Sequence, residues 1–235
     1  MIRFVMGCLS LALCVVGLSV SVQATEQDDK KIQLYKQSCE AGDAEGCFDL
    51  GKIYTEIFDR KRGDQKAVEP FKKACEGGYA ESCTVLGWMY HYGRGVEVDV
   101  TKALNLLLKA CDLDDAEGCI DAADMYKTGR GVDQNSTQAV KIFTDTCFKG
   151  SALACAKLGV MYNEGQGIQQ DNRKAVILFK QACDDRLSLG CFYLGYMYEH
   201  GFGVDWSIKK AAALYKYSCD RGENFACMRL EEMRK

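Results

Sequence analysis

Cysteine carries the strongest chemical signal in this chain, because twelve of its fourteen cysteines lie on a regular spacing. One set recurs every 36 residues and a second follows it eight residues later, which gives the pairs Cys39 and Cys47, Cys75 and Cys83, Cys111 and Cys119, Cys147 and Cys155, Cys183 and Cys191, and Cys219 and Cys227. A fixed period in this range is typical of a repeat protein. The constant C-x7-C spacing predicts a disulfide within each pair.

Two other uses of paired cysteines fit this pattern poorly. Zinc knuckles place cysteines about two to four residues apart, often with histidine. The two histidines here, His91 and His200, occupy different positions of the repeat. A thioredoxin-like site needs C-x-x-C, which does not occur. We therefore expect no metal and no cofactor, and a disulfide framework formed in an oxidising compartment.

Residues 1–24 are typical of a secretory signal peptide. Arg3 precedes an apolar stretch from Phe4 to Val22, and small residues at Val22 and Ala24 suit a cleavage site. The alternative is an uncleaved membrane anchor, since the apolar stretch is about as long as a short membrane span. Cleavage would leave residues 25–235 as a single repeat domain, secreted or periplasmic in a bacterium, with no stable membrane insertion.

Charge gives little information about partners. The chain has 30 basic and 33 acidic residues, a net charge of −3. Because no basic stripe is present, we expect no nucleic-acid partner. A balanced surface of this kind suits a soluble repeat protein.

The elements that position the cysteines are two helices in each period. Apolar residues with helical spacing recur in Leu86-Gly87-x-Met89-Tyr90, Leu158-Gly159-x-Met161-Tyr162 and Leu194-Gly195-x-Met197-Tyr198. The recurring glycine predicts a close helix–helix approach that leaves no room for a side chain. A turn of the type Gly93-Arg94-Gly95-Val96 follows, with its first glycine in the left-handed region. A Lys-Ala helix then ends at the first cysteine of a pair, so each disulfide staples a tight helix–helix corner.

The first repeat departs from this pattern. Its segment Phe58–Gly63 lacks the paired glycines, and terminal repeats are often atypical. The single proline, Pro70, stands inside a Lys-Ala helix. We expect that helix to start late or to kink.

These motifs resemble the Sel1-like repeat, a relative of the tetratricopeptide repeat, over about residues 30–234. Export and a C-x7-C pair in every unit are also similar to the Helicobacter cysteine-rich proteins. The resemblance implies an all-α fold, a right-handed superhelical α-solenoid of helix pairs stapled by disulfides. For that family it also implies penicillin binding with weak β-lactamase activity, and interactions with host cells. Fold does not by itself imply function.

The residues give little support to the enzyme alternative. Serine β-lactamases use S-x-x-K, S-D-N and K-T-G. The segments Ser207–Lys210 and Lys127–Gly129 match the first and the last of these motifs. Lys210, however, occupies the lysine position of the Lys-Ala pair that recurs in the repeats, and Gly129 is the first glycine of the recurring turn. The S-D-N motif is absent. We therefore expect no catalytic residues here.

A binding scaffold needs only an exposed surface. In solenoids, residues at the same position of successive repeats can form such a surface, and we call each such set of residues a column. One column varies in chemistry while its neighbours repeat: Lys52, Trp88, Asp124, Val160 and Tyr196. An adjacent column contains Thr55, His91, Lys127, Asn163 and Glu199. Such variation suits recognition of a protein, a peptide or a cell-wall fragment, although drift on a solvated face would give the same pattern. Trp206 is a further aromatic in a loop, either a partner contact or a cover for the last helices.

One loop carries a candidate modification site. Asn135-Ser136-Thr137 forms an N-x-T sequon, with Asp133 at the −2 position. Some bacterial N-glycosylation systems recognise this extended form. Export and a loop position both suit the modification of Asn135.

Overall fold

The computed structural model describes residues 11–58 and 60–233, with side chains from Glu26 onward. The described residues are all-α. Their helices are α1 (Leu11–Glu40), α2 (Ala44–Ile57), α3 (Arg60–Glu76), α4 (Ala80–Tyr92), α5 (Val100–Asp112), α6 (Ala116–Thr128), α7 (Ser136–Phe148), α8 (Ala152–Glu164), α9 (Asn172–Asp184), α10 (Ser188–His200), α11 (Ile208–Cys219) and α12 (Asn224–Glu232).

The helices form repeating pairs, as the 36-residue period predicts. Even-numbered helices from α2 to α10 carry the Leu-Gly-x-Met-Tyr columns, and odd-numbered helices from α3 to α11 carry the Lys-Ala columns. The chain divides into two compact units, the first ending at Val98 and the second beginning at Asp99. In both units, neighbouring helices along the chain pack against each other.

Capping residues fix where the helices begin and end. From α5 onward, each odd-numbered helix up to α11 has a polar N-cap side chain that accepts a backbone hydrogen bond; these caps are Asp99, Asn135, Asp171 and Ser207. Such caps stabilise a helix by about 1 kcal/mol. The even-numbered helices α4 to α10 end at a glycine in the left-handed region, as the sequence predicts.

In α2, α8 and α10, the glycine inside the Leu-Gly-x-Met-Tyr helix faces an aromatic side chain of the next helix. A Cβ atom on Gly51 would lie 2.5 Å from the Phe71 ring, and one on Gly159 would lie 2.6 Å from the Phe179 ring. Both rings are almost completely buried. The predicted close helix–helix approach is therefore confirmed, and an aromatic ring on the following helix fills the space.

The second glycine of each turn has a different role. Gly167 has a φ of +69°, and a Cβ atom there would lie 2.4 Å from the backbone carbonyl carbon of Ser136. Gly203 makes the same approach to Asn172. These contacts hold each turn against the start of the Lys-Ala helix of the preceding repeat. A side chain would push the two segments apart.

All six predicted disulfides are present, each within one C-x7-C pair. Their Cα–Cα distances lie between 4.3 and 4.7 Å. The first cysteine of each pair lies in the last turn of an odd-numbered helix, and the second lies in the first turn of the next helix. The stapled helix–helix corner is thus confirmed. Closing such a loop is worth about 2.5 kcal/mol in the chain-entropy model.

The first repeat is atypical, as predicted, and of the two outcomes expected for its helix, a late start or a kink, the late start does not occur. Helix α3 does not start late: it begins at Arg60, well before the buried Pro70. Arg94 donates two hydrogen bonds, of 3.0 and 2.7 Å, to the carboxylate of Asp64, which is only 4% exposed. The backbone of α2 also approaches Gly63 closely. These tertiary contacts hold the turn that precedes the proline in helical form.

The predicted signal peptide falls partly outside the described part of the chain. Residues 1–10 are not described, and residues 11–25 are described only as backbone of α1. Within the described residues, no helix combines the length and the apolar character needed to cross a membrane.

The two glycines of one turn give a matched test of this packing. Gly165→Ala introduces left-handed strain, since φ is +70°, but its Cβ would lie 3.3 Å from Gln170. We expect it to lower the free energy of unfolding by about 1–2 kcal/mol. Gly167→Ala adds a backbone clash and should cost about 1–3 kcal/mol more. Urea unfolding measures both values; equal losses would contradict the close approach.

Candidate binding site

In the first unit, the predicted binding column provides two different side chains. Lys52 is exposed, and its Nζ lies 5.3 Å from the centroid of the Phe48 ring. Trp88 is half-buried on α4. His91, in the adjacent column, is also half-buried and makes an edge contact with the Tyr92 ring at 4.6 Å. The aromatic surface of Trp88 is therefore partly accessible rather than fully exposed.

In the second unit, the same column is more involved in packing than the sequence predicts. Asp124 forms an ion pair of 2.7 Å with Lys157. Val160 and Tyr196 are half-buried and pack against a core cluster that contains Phe179. Tyr196 is therefore only partly accessible to solvent, because it also packs against the core.

The adjacent column lies at the ends of the even-numbered helices. The backbone carbonyl of Lys127 accepts a 2.8 Å hydrogen bond from the Gln134 side chain, and that of Asn163 accepts a 2.7 Å bond from Gln170. The side chains of Lys127 and Asn163 are half-buried. Here loop glutamines satisfy helix-end carbonyls that would otherwise lack partners.

Glu199 belongs to a structural network. Its carboxylate accepts a 2.6 Å hydrogen bond from the Tyr215 hydroxyl and also pairs with Arg229 of α12, and its side chain is only 13% exposed. Burial, and then the bond to Glu199, raises the pKa of Tyr215. Burial alone would lower the pKa of Arg229, but the hydrogen bonds and negative charges of Glu199 and Glu232 together raise it. This network fastens the last helix to the preceding pair.

The residues of the S-x-x-K match have structural roles. The Ser207 hydroxyl is the N-cap of α11 and accepts a hydrogen bond from the Lys210 backbone N–H. The Lys210 ammonium lies 4.9 Å from the centroid of the Tyr198 ring. Lys174 makes the same contact with Tyr162 at 5.2 Å. The Lys-Ala column therefore provides a recurring cation–π contact.

The K-T-G match and the sequon also coincide with capping positions. The Thr128 hydroxyl donates to the carbonyl of Asp124, and Gly129 ends α6. Asn135 is exposed, and its side-chain oxygen accepts from the Gln138 backbone N–H as the N-cap of α7. Glycosylation of Asn135 stays a prediction, because its capping role accounts for an asparagine there without any modification.

An aromatic cluster that the column comparison missed lies at the end of α10 and in the loop that follows it. The His200 ring lies 4.1 Å from the Tyr196 ring and 5.4 Å from the Phe202 ring. Trp206, in the same loop, is 64% exposed. Comparing positions 200 and 202 with their counterparts in the other repeats would have revealed this cluster from the sequence.

A crevice of about 540 Å³ lies beside the same loop. Its lining includes Arg173, Tyr198, Asp205 and Lys210. Neither Arg173 nor Lys210 forms an ion pair with another described residue. No group of His, Cys, Asp and Glu in the described side chains is arranged to hold a metal ion.

These features define a disulfide-stapled α-helical repeat protein. The Sel1 repeat model matches residues 44–79, 80–115, 116–144, 152–186 and 188–223. The matches cover well over half of the chain, so it belongs to the Sel1 repeat family. Sel1 repeat proteins generally mediate protein–protein interactions. No curated protein sequence matches the chain.

Solved structures show the same fold. A Sel1 repeat protein from Oxalobacter formigenes is 25% identical with a TM-score of 0.74, over 87% of this chain and 60% of that one. A protective antigen of uropathogenic Escherichia coli with an SLR fold is 23% identical with a TM-score of 0.65, over 85% of this chain and 50% of that one. The chain therefore spans only part of these two proteins. Cysteine-rich protein B of Helicobacter pylori is 35% identical over 56% of this chain and 95% of that one, with a TM-score of 0.46.

The capping role of Ser207 leads to a prediction about hydrolysis. Ser207→Ala should lower the free energy of unfolding by about 1 kcal/mol, because it removes an N-cap. Any nitrocefin hydrolysis by the folded protein should stay unchanged, and the same should hold for Lys210→Ala. A drop of about two orders of magnitude in turnover for folded Ser207→Ala would identify this serine as a nucleophile instead.

Proposed function

We propose that the protein is an exported Sel1 repeat scaffold, secreted or periplasmic in a bacterium, that binds a protein, a peptide or a cell-wall fragment. One observation carries the proposal. The positions that cap and pack the helices repeat along the chain, whereas the outer column from Lys52 to Tyr196 changes in chemistry and stays partly accessible. A repeat frame of this kind can present different side chains without altering its own packing.

The disulfides support the export part of the proposal. All twelve repeat cysteines are paired, and paired structural cysteines persist in oxidising compartments. They indicate an extracytoplasmic location. The apolar stretch of residues 1–24 supplies a route to such a compartment as a cleavable signal peptide.

The binding surface that we propose uses the two columns of the even-numbered helices, taken in each unit separately. In the first unit its residues are Lys52, Trp88 and His91; in the second they are Asp124, Lys127, Val160, Asn163, Tyr196 and Glu199. Trp88 and Tyr196 are its large aromatic side chains, and each has partly accessible apolar area together with a polar group. Aromatic residues of this type are enriched among those that dominate interface energies. Host or cell-wall components are the partners that an exported scaffold would meet.

The alternative, a weak penicillin-hydrolysing enzyme, gains no support from the site. Ser207 and Lys210 are a helix cap and a cation–π donor. Among the described residues, the only hydrogen bond of the Ser207 hydroxyl is the one that it accepts from the Lys210 backbone N–H, so no general base is in place to take its proton. We therefore base the proposal on binding alone.

Truncation of the two aromatics tests the surface. Trp88→Ala and Tyr196→Ala should each weaken binding of the physiological partner by about 1–3 kcal/mol, because each removes apolar contact area. A photo-crosslinking amino acid at position 52 first captures the partner from the extracytoplasmic fractions. The affinity of this partner for each purified variant is then measured by calorimetry.

Ile177→Ala is the matched control, since Ile177 is 65% exposed and lies outside this surface. It should leave the affinity unchanged. Circular dichroism must show that all variants are folded at the temperature of the measurement. Unchanged affinity in both aromatic variants would reject this surface.

A further inference from the structure

The loop after α10 differs from its sister loops in the second unit. Where it has His200, Phe202 and Trp206, the corresponding positions after α8 are Glu164, Gln166 and Gln170, and those after α6 are Thr128, Arg130 and Gln134. We call residues 201–206 together with His200 the aromatic loop. Its backbone matches the sister loops: Gly201 and Gly203 have φ values of +70° and +71°, as Gly165 and Gly167 have +70° and +69°.

Packing of the repeat does not require these aromatic side chains. In the two sister loops, Gln134 and Gln170 occupy the position of Trp206, and each donates a hydrogen bond to a helix-end carbonyl. The repeat therefore packs without an aromatic side chain at this position. Trp206 remains 64% exposed and Phe202 37% exposed. Exposed aromatic side chains within one short loop are typical of an interaction site.

Positive charge lies directly beside the aromatic loop. Arg173, at the start of α9, and Lys210, in the first turn of α11, line the crevice together with Gly201, Gly203 and Asp205. The Arg173 side chain is exposed, and neither cation is neutralised by an ion pair with a described residue. Asp205 is the one acidic residue among the lining residues of the crevice. The crevice therefore favours an anion.

We propose that the aromatic loop and the adjacent crevice form a binding site for an acidic peptide segment that carries an aromatic or large apolar side chain. The proposal rests on the proposed function as a scaffold and names one site and one ligand chemistry for it. A ligand carboxylate binds the Arg173 guanidinium and the Lys210 ammonium. The apolar side chain packs against Trp206 and Phe202.

Three properties favour a peptide as the occupant. Arginine, tryptophan and tyrosine are the residue types most enriched at the energetic centres of protein interfaces, and Arg173 and Tyr198 of the crevice and Trp206 of the loop provide all three here. The guanidinium fork matches the geometry of a carboxylate, so it can form two parallel hydrogen bonds with an acidic side chain. The crevice volume of about 540 Å³ is enough for a few side chains.

The test uses the full oxidised protein and a defined probe. The probe is a fluorescein-labelled peptide in which glutamates and phenylalanines alternate with glycine and serine spacers. One control peptide has lysine in place of each glutamate, and another has serine in place of each phenylalanine. Fluorescence anisotropy should show the acidic aromatic peptide binding at least about tenfold more tightly than either control.

The variants take their replacements from sister repeats of the same chain, which keeps the fold intact. Trp206→Gln introduces the residue found at positions 134 and 170, and Arg173→Thr introduces the residue found at positions 101 and 137. Each should weaken probe binding at least about tenfold. Phe148→Gln is the matched control, because Phe148 is 87% exposed but lies outside the site, and it should bind like the unaltered protein.

Two outcomes would overturn this proposal. One is probe affinity that does not distinguish the three peptides. The other is probe binding that Trp206→Gln and Arg173→Thr leave unchanged. Binding that depends on charge alone, so that heparin competes as strongly as the peptide, would count as the same result. If the physiological partner then still loses affinity with Trp88→Ala, the scaffold function stands and only this site is rejected. If the Trp88→Ala and Tyr196→Ala variants also bind the physiological partner unchanged, the proposed binding surface fails as well.

Discussion

The corner between two helices is the constraint on which the rest of this structure depends. Each helix from α4 onward has only 13 residues or fewer, and helices of this length are marginal alone. A disulfide ties the end of one helix to the first turn of the next, with Cα atoms 4.7 Å apart at the Cys147–Cys155 corner. The disulfide thereby fixes the direction in which the chain reverses in each repeat, and it does so without a bound ligand.

Packing then aligns the two helices that follow each corner. A glycine on one helix admits an aromatic ring from the next, as between Gly159 and Phe179, and a second glycine holds the turn against the preceding repeat. These contacts use the inner positions of the repeat. Because the inner positions carry the fold, the outer positions and the loop ends can change without loss of packing. The aromatic loop with Trp206 is the clearest example of such a change.

The constant spacing of the cysteines predicted the disulfides, that of the apolar residues predicted the helix pairs, and that of the turn glycines predicted the left-handed positions. The early start of the helix that contains Pro70 could not be predicted, since the ion pair of Asp64 with Arg94 joins residues thirty positions apart and no local pattern indicates it. The half-burial of Tyr196 was also not visible, because its packing partner Phe179 lies on another helix. The role of Glu199 depends on Arg229 of the last helix, again a contact beyond local sequence.

Removal of one staple tests the central claim most directly. A protein in which Cys147 and Cys155 are both replaced by serine should lose about 2.5 kcal/mol of unfolding free energy, as the chain-entropy model gives for one corner. Full reduction of the unaltered protein should lower its melting temperature sharply, while far-ultraviolet circular dichroism at low temperature retains part of the helical signal. An unchanged melting temperature in excess reductant would contradict the claim that the stapled corners hold the repeat together.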